Sequence, residues 1–297
     1  MNSLIIPLPN KENYKFFSEN AIDGFFIGID GFSENFNYLV KETKLKKVVE
    51  ELNAKNKKSY IFLNKMITED KLKDYTRLLK KISKLDIEAV IFSDFAVFNI
   101  VKEKKLDINL IWHSKMITNS KTINFLNKRG LYGYIVTPQI TIDEFIEINK
   151  NTKCKSIIKL FGYTNMSTSS RTLISNYFKY KNIDRNPNKK YYMKEKSSNS
   201  FYPIVEKDTT NFFSNKVLNG ILEYKRLINE NIDCTVFLDD YMIFENQFYN
   251  VIEAFIAARN CPNDDEFVNK LKKVIDSNLF NETDDGFLNK KTIFKVK

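Results

Sequence analysis

The sequence predicts an α/β chain folded as a TIM-like (β/α)8 barrel, on three observations. Short apolar runs alternate with longer amphipathic ones from the first residues onward. The alternation repeats about every thirty residues, the length of a right-handed βαβ crossover in a parallel sheet. Eight such units fit within roughly 260 residues, as in a closed barrel, and no glycine-rich dinucleotide fingerprint argues for an open doubly wound sheet.

The elements follow in order. Leu4-Ile5-Ile6 reads as a strand, and residues 11–20 have helical spacing. Residues 24–29 (GFFIGI) form a second strand, followed by an amphipathic helix over 44–53. Residues 60–63 give the third strand, and Thr68 caps a helix to about residue 83 with Leu72, Tyr75, Leu78, Leu79 and Ile82 on one face. Strands at 89–92, 110–112 and 133–136 are each followed by a helix, at 95–104, 120–128 and 142–149. Residues 157–161 form the seventh strand, ending in a turn at Gly162. After a long interruption a helix is expected over 217–228, an eighth strand over 235–238 and an eighth helix over 244–258. The domain reading is a barrel over 1–262 carrying an insertion at 177–215. A C-terminal extension, 263–297, packs on the barrel with one helix (266–275) and an extended end (292–296).

Two stretches depart from this rhythm. In residues 161–178 (FGYTNMSTSSRTLISNYF), Thr164, Ser167, Thr168, Ser169, Ser170, Thr172 and Ser175 supply hydroxyls around one cation, Arg171. Such a run suits an anion- or nucleotide-handling loop, or the polar cap of a helix starting near Ser170. Residues 177–202 carry seven Lys or Arg against two acids, interleaved with seven aromatics. Cations reach phosphates and rings stack on unpaired bases, a composition fit for single-stranded or loop RNA. The other reading is a solvated insertion whose tyrosines pack on the barrel rim.

Composition bounds the rest. The chain has 297 residues, 43% hydrophobic and 14% aromatic, enough for a full core. A formal charge of +10 favours acidic partners such as nucleic acid, although abundant Lys and Asn also follow from an AT-rich genome. Cys154, Cys234 and Cys261 are odd in number and lack metal-knuckle spacing. The N-terminal MNSLIIPLPN has no basic leader and is cut by Pro7 and Pro9, and no run approaches the roughly 20 apolar residues of a membrane span. The expectation is a cytoplasmic protein with no membrane partner.

Working residues in a barrel collect at the carboxyl ends of its strands. Those ends hold Asp30, Asn64, Ser93, Asp94, His113, Ser114, Thr137, Gln139, Gly162, Thr164, Asp239 and Asp240. His113 is the only histidine. Asp94 and Asp239 are pocket acids or helix N-caps, with capping favoured for Asp94. Peptidase constellations fail: one histidine cannot supply H-E-x-x-H, G-x-S-x-G is absent, and Cys154 and Cys234 precede their strands, a strand length from the mouth.

Several segments together carry a resemblance: residues 161–180, 202–217 (YPIVEKDTTNFFSNKV) and 284–297 (DDGFLNKKTIFKVK), with 93–97 (SDFAV), 111–120 (IWHSKMITNS) and 136–141 (VTPQIT). The chain resembles peptidase family U32, the collagenase-like proteases, and within it the short cysteine-poor members. The resemblance implies a TIM-like barrel and a component of a prephenate-dependent tRNA hydroxylase acting on the wobble uridine, working beside a longer cysteine-rich paralogue. A collagenase-like peptidase and a non-catalytic scaffold for that paralogue are the alternatives. Cluster-bearing relatives hold iron–sulfur centres through cysteines; here the matching motif positions are Asn165 and Thr172, so no cluster bound by this chain's cysteines is expected. Gln139 stands where relatives tend to carry glutamate, and an amide cannot act as a general base. The candidate catalytic set, read from the strand ends, is His113, Asp94, Asp239 and Gln139. Substrate would meet Thr164, Asn165, Ser169 and Ser170, with Arg171, Lys179, Lys181, Arg185, Lys189 and Lys190 on phosphates and Tyr191 and Tyr192 stacking on bases. The expected partners are tRNA and the paralogue, with prephenate as a candidate co-substrate.

Overall fold

A computed structural model describes residues 2–10, 21–186, 189–196, 199–261 and 263–290. The helix expected over 11–20 and the extended end over 292–296 lie outside the described residues. Period-two alternation makes the strands. In β1 (Ser3–Pro7), β2 (Gly24–Gly28) and β3 (Lys58–Leu63), the side chains Ile5, Phe26, Tyr60 and Phe62 enter one core while Leu4, Ile6, Phe25, Ile27, Ile61 and Leu63 enter another. The pattern continues through β4 (Ala89–Phe92), β5 (Leu110–His113) and β6 (Gly133–Ile135), where Ile91, Ile111 and Ile135 fill the first core. That smaller core is the barrel interior. The larger one lies between barrel and helices, where α1 (Leu45–Asn53), α2 (Leu72–Ile82), α3 (Phe95–Glu103), α4 (Ser120–Asn127) and α5 (Ile142–Lys150) press their apolar faces.

Three of the starts among α1 to α5 follow local chemistry. Asp94 caps α3 by accepting from the Ala96 amide, Asn119 caps α4 through Thr122, and Thr141 with Glu144 forms a reciprocal capping box on α5. Thr68 does not cap the backbone as expected. Its hydroxyl bonds the Asp70 carboxylate at 2.6 Å, and a 3-10 turn over Glu69–Lys71 precedes α2.

The seventh strand corrects the sequence reading. Instead of turning at Gly162, β7 (Lys155–Ser169) runs for 15 residues and carries most of the hydroxyl-rich run in extended backbone. After it, α6 (Leu173–Lys181) leads to a hairpin of β8 (Tyr191–Lys194) and β9 (Phe201–Glu206), and then to β10 (Thr210–Asn219), which pairs antiparallel with the upper half of β7. The expected insertion is thus an extension of the barrel sheet. The helix expected from residue 217 begins only at α7 (Ile221–Asn229), because Val217 and Leu218 are still in β10. Neither Ser169 nor Ser170 caps α6: its free amides at Leu173, Ile174 and Ser175 donate to the Thr210 hydroxyl and the Glu206 carboxylate. Burial alone would raise the Glu206 carboxyl, but Ser175, these amides and the Arg185 guanidinium hold it below its usual value.

β11 (Thr235–Leu238) closes the ring by pairing parallel with both β7 and β1. The eight strands β1 to β7 and β11 therefore form a TIM-like barrel. Beyond it, α8 (Glu245–Asn260) and α9 (Asp265–Asn278) pack on each other, and the short β12 (Thr283–Asp284) joins the edge of β10.

Where β7 leaves the ring, Gly162 has φ +111°, and a Cβ there would lie 2.5 Å from the Asp239 carbonyl oxygen. Gly162→Ala should cost about 3 kcal/mol or more, combining positive-φ strain with a backbone clash. Chemical denaturation checks this; a loss below about 1 kcal/mol would contradict it.

Candidate functional site at the barrel mouth

The strand carboxyl ends enclose a cavity of about 540 Å3, within the range of about 300–1,000 Å3 usual for small-ligand sites. Its floor is the top of the barrel interior: Phe36, Phe62, Ile135 and Phe237. One wall is polar, because β7 continues upward past the ring and presents Thr164, Asn165, Ser167 and Thr168.

His113, at the end of β5, is half-buried in this cavity. Its ring meets the Phe62 ring edge-on at 5.2 Å, and its Nδ1 lies 3.4 Å from Ser93 Oγ. Burial, with the nearby Lys159 and Lys115 ammonium groups, pushes its pKa down to about 4. The imidazole is neutral at pH 7 and a weak base. Together with the long Ser93 contact, this does not describe an activated serine nucleophile.

Lys159 projects into the barrel interior from β7. Its Nζ lies 2.5 Å from Asp239 Oδ2 at the end of β11 and also donates to the Tyr163 carbonyl. Asp239 Oδ1 accepts from the Tyr241 amide at 3.0 Å. The adjacent Asp240 carboxyl is pushed up to about 7 by burial and by the Asp239 charge, and its Oδ1 is buried without a hydrogen bond among the described residues.

Lys115 is held differently. Its Nζ donates to Asn165 Oδ1 at 2.9 Å, and burial lowers its pKa. Asn165 is aimed by Asn211 of β10, whose Oδ1 accepts from the Asn165 amide (2.7 Å) and the Thr168 hydroxyl (2.7 Å). The Thr209 hydroxyl donates to Glu34 at 2.6 Å, tying the β9–β10 turn to the loop after β2.

Of the residues singled out from sequence, Asn64, Ser93, His113, Ser114, Thr164, Asn165, Ser167, Thr168 and Asp239 meet in this cavity. Asp94 does not line it: its Oδ1 caps α3 and its Oδ2 accepts from the Ile67 amide. Gln139 is exposed beyond β6, outside the lining. Ser169, Ser170 and Arg171 lie at the far tip of β7. Lys179 and Lys181 are exposed on α6. Arg185 is committed to Glu206 and to Ser175 Oγ (2.6 Å). Tyr191 bonds the Asn186 backbone and meets Phe178 edge-on at 5.2 Å. Lys189, Lys190, Tyr191 and Tyr192 line a second cavity of about 260 Å3, and Tyr163 belongs to both linings. Burial, and next Tyr192, push the Tyr163 hydroxyl up to about 12.

Sequence reasoning missed Lys159, Lys115, Glu34 and Asn211. A signal existed for Lys159: a charge between Ile157 and Phe161, at the alternating position that faces the barrel interior. Asn211 gave none, since it arrives from 46 residues beyond Asn165.

Cys154 and Cys234 are buried at the foot of the barrel, where burial raises both and pushes Cys234 up to about 12, and Cys261 follows α8. Among the described residues, no group of three or more His, Cys, Asp or Glu is placed to hold a metal ion, and no helix is long and apolar enough to cross a membrane.

Fold and site define a TIM-barrel protein whose polar chemistry is gathered at one mouth. The model for Peptidase family U32 matches residues 9–295, and the chain belongs to that family. It is 26% identical over 263 residues to tRNA hydroxylation protein P2 of Bacillus subtilis (strain 168), covering 84% of each protein. It is 26% identical over 178 residues to tRNA hydroxylation protein P of Escherichia coli (strain K12), covering 59% of this chain and 39% of that one. The solved U32 peptidase Mk0906 superimposes with a TM-score of 0.52 at 10% identity, covering 80% of this chain and 92% of the other, a likeness of fold.

The histidine gives a direct check of the cavity's electrostatics. Its folded pKa lies below the unfolded value of 6.5, so the unfolded chain takes up the proton first as pH falls. The stability it contributes is present above about 6.5 and is lost between about 6.5 and 4, amounting to about 3 kcal/mol. His113→Gln should remove that part of the decline in denaturation curves measured from pH 7 to 4. Identical slopes for the two proteins would contradict the assignment.

Proposed function

We propose that this chain is a component of tRNA wobble-uridine hydroxylation, holding one nucleotide of the RNA at the barrel mouth. The observation that carries the reading is the joint lining by Tyr163 of the mouth cavity and the lysine–tyrosine cavity. A strand of RNA lying across that shared wall would place one base over the Phe62–Phe237 floor. Its neighbour would lie on Tyr192, with phosphates at Lys189 and Lys190. The similarity to protein P2 over most of both chains supports tRNA as the polyanion.

Each cavity residue has a role in this reading. Lys115 and Asn165 offer donors to base carbonyls. The neutral His113 holds one proton beside the reacting base, and Lys159, kept in place by Asp239, stands beside it. The Lys115 ammonium suits a carboxylate of an organic acid, and prephenate is the proposed co-substrate. The oxidising chemistry is proposed to come from a cysteine-rich paralogue working with it in the cytoplasm.

Lys189→Glu with Lys190→Glu should weaken tRNA binding and flatten its salt dependence by roughly 0.7 log units for each single-strand phosphate no longer neutralised. Unchanged binding would remove the hairpin from the RNA site. The function itself is tested by mass spectrometry of wobble nucleosides from a strain lacking the gene. The hydroxylated uridine should disappear, return with the wild-type gene, and not return with Lys115→Met. A full complement of the modification in the deletion strain would overturn the proposal.

A further inference from the structure

The outer faces of the barrel helices are not alike in charge. On α1, Lys46 and Lys47 are answered by Glu50 and Glu51 at 3.7 and 3.8 Å. On α9, Lys270 and Lys272 are answered by Glu266 and Asp276, and on α7 Arg226 by Glu230 and Asp143. On α2, Arg77 and Lys81 are answered by Glu42, but the lysines in line with Arg77 are not. Tyr75, Leu78, Leu79 and Ile82 turn inward, while Lys73, Arg77 and Lys80 fall at i, i+4 and i+7 on the opposite side, with Lys84 continuing the stripe in the turn beyond. Lys104, which ends α3, adds a cation at the foot of the same groove, a shallow depression of about 590 Å3.

The acids near this groove are few and partly committed. Glu42 takes Arg77 and Lys81, Asp74 lies 3.8 Å from Arg77, and Asp70 lies 3.7 Å from Lys71. Glu103 precedes Lys104 on α3. Lys73, Lys80, Lys84 and Lys104 make no ion pair among the described residues. All four are exposed. Stacked, uncompensated cations raise one another's energy and are relieved by a polyanion that brings its own charge in a row.

Direction adds to this. Because α2 follows the carboxyl end of β3, Lys73 stands on the mouth side and Lys84 and Lys104 stand at the foot. From Lys73 to Lys84 the stripe covers about 16 Å at 1.5 Å per residue, long enough to face several consecutive phosphates. We propose that the α2–α3 groove is a second RNA-backbone contact, which takes the part of the tRNA that continues past the mouth and down the side of the barrel. This rests on the tRNA reading above but on none of the residues used there. Its chemistry is phosphate neutralisation without base readout.

The test measures binding of the intact chain to full-length tRNA and to a pentanucleotide that covers the mouth alone, each as a function of salt. In Lys73→Glu/Lys80→Glu/Lys84→Glu, tRNA affinity should fall about ten-fold or more, and the slope of log affinity against log salt should shrink by about 2, at roughly 0.7–0.9 per phosphate. Pentanucleotide binding should be unchanged. The neutral Gln triple should give a smaller loss in the same direction, and Lys121→Glu/Lys128→Glu/Lys150→Glu, on α4 and α5 and the turn between, should leave tRNA binding near wild type. An unchanged slope in the first triple, or an equal loss in the α4–α5 triple, overturns the groove while leaving the mouth reading intact. Failure of the wild-type chain to bind either RNA overturns both.

Discussion

The structure depends on how β7 serves two sheets at once. Its lower half completes the barrel between β6 and β11, and its upper half pairs antiparallel with β10. The two roles meet at Gly162, where the backbone bends close under the Asp239 carbonyl and no side chain fits. Just below that bend, Lys159 reaches Asp239 across the β7–β11 seam. The chain therefore closes its barrel, starts its excursion and sets its main internal ion pair within a few residues.

That arrangement explains the cavity's mixed character. A barrel interior is ordinarily filled by apolar side chains, and here Phe26, Tyr60, Phe62, Ile91 and Ile111 fill it. Toward the mouth the filling stops and the prolonged β7 raises a polar wall over an aromatic floor. Amide and hydroxyl side chains on that wall satisfy one another through Asn211, so they can stand beside partly buried charges without being left unpaired. The rim holds Lys115 in position, and burial with the Lys159 and Lys115 charges keeps His113 neutral.

The excursion is a structural element as much as a binding one. Glu206, with its side chain buried, caps α6 and anchors Arg185, so one arginine from the basic stretch serves folding. Tyr191 is likewise fixed against Phe178 and the Asn186 backbone. Tyr192, half exposed, keeps the freedom to meet a ligand, and Lys190 rests over the Phe244 ring. The composition of residues 177–202 supported two readings, and the structure divides the residues between them.

The barrel was legible from sequence because period-two alternation and helix amphipathicity are local signals, recorded within five to fifteen residues of chain. The strand ends were legible for the same reason, and they contained His113 and Asp239. Tertiary structure alone decided the course of β7, since Thr164 to Ser169 have no apolar alternation and become a strand only when β10, some forty residues later, supplies its hydrogen bonds. It also decided which polar residues form the site: Arg185 went to a buried carboxylate and Lys159 to the barrel interior, whereas the helix end that takes Asp94 was already favoured from sequence. Pairing partners distant along the chain set those outcomes, and the energy that fixes them, burial of charge against a matched group, exists only once the barrel has closed.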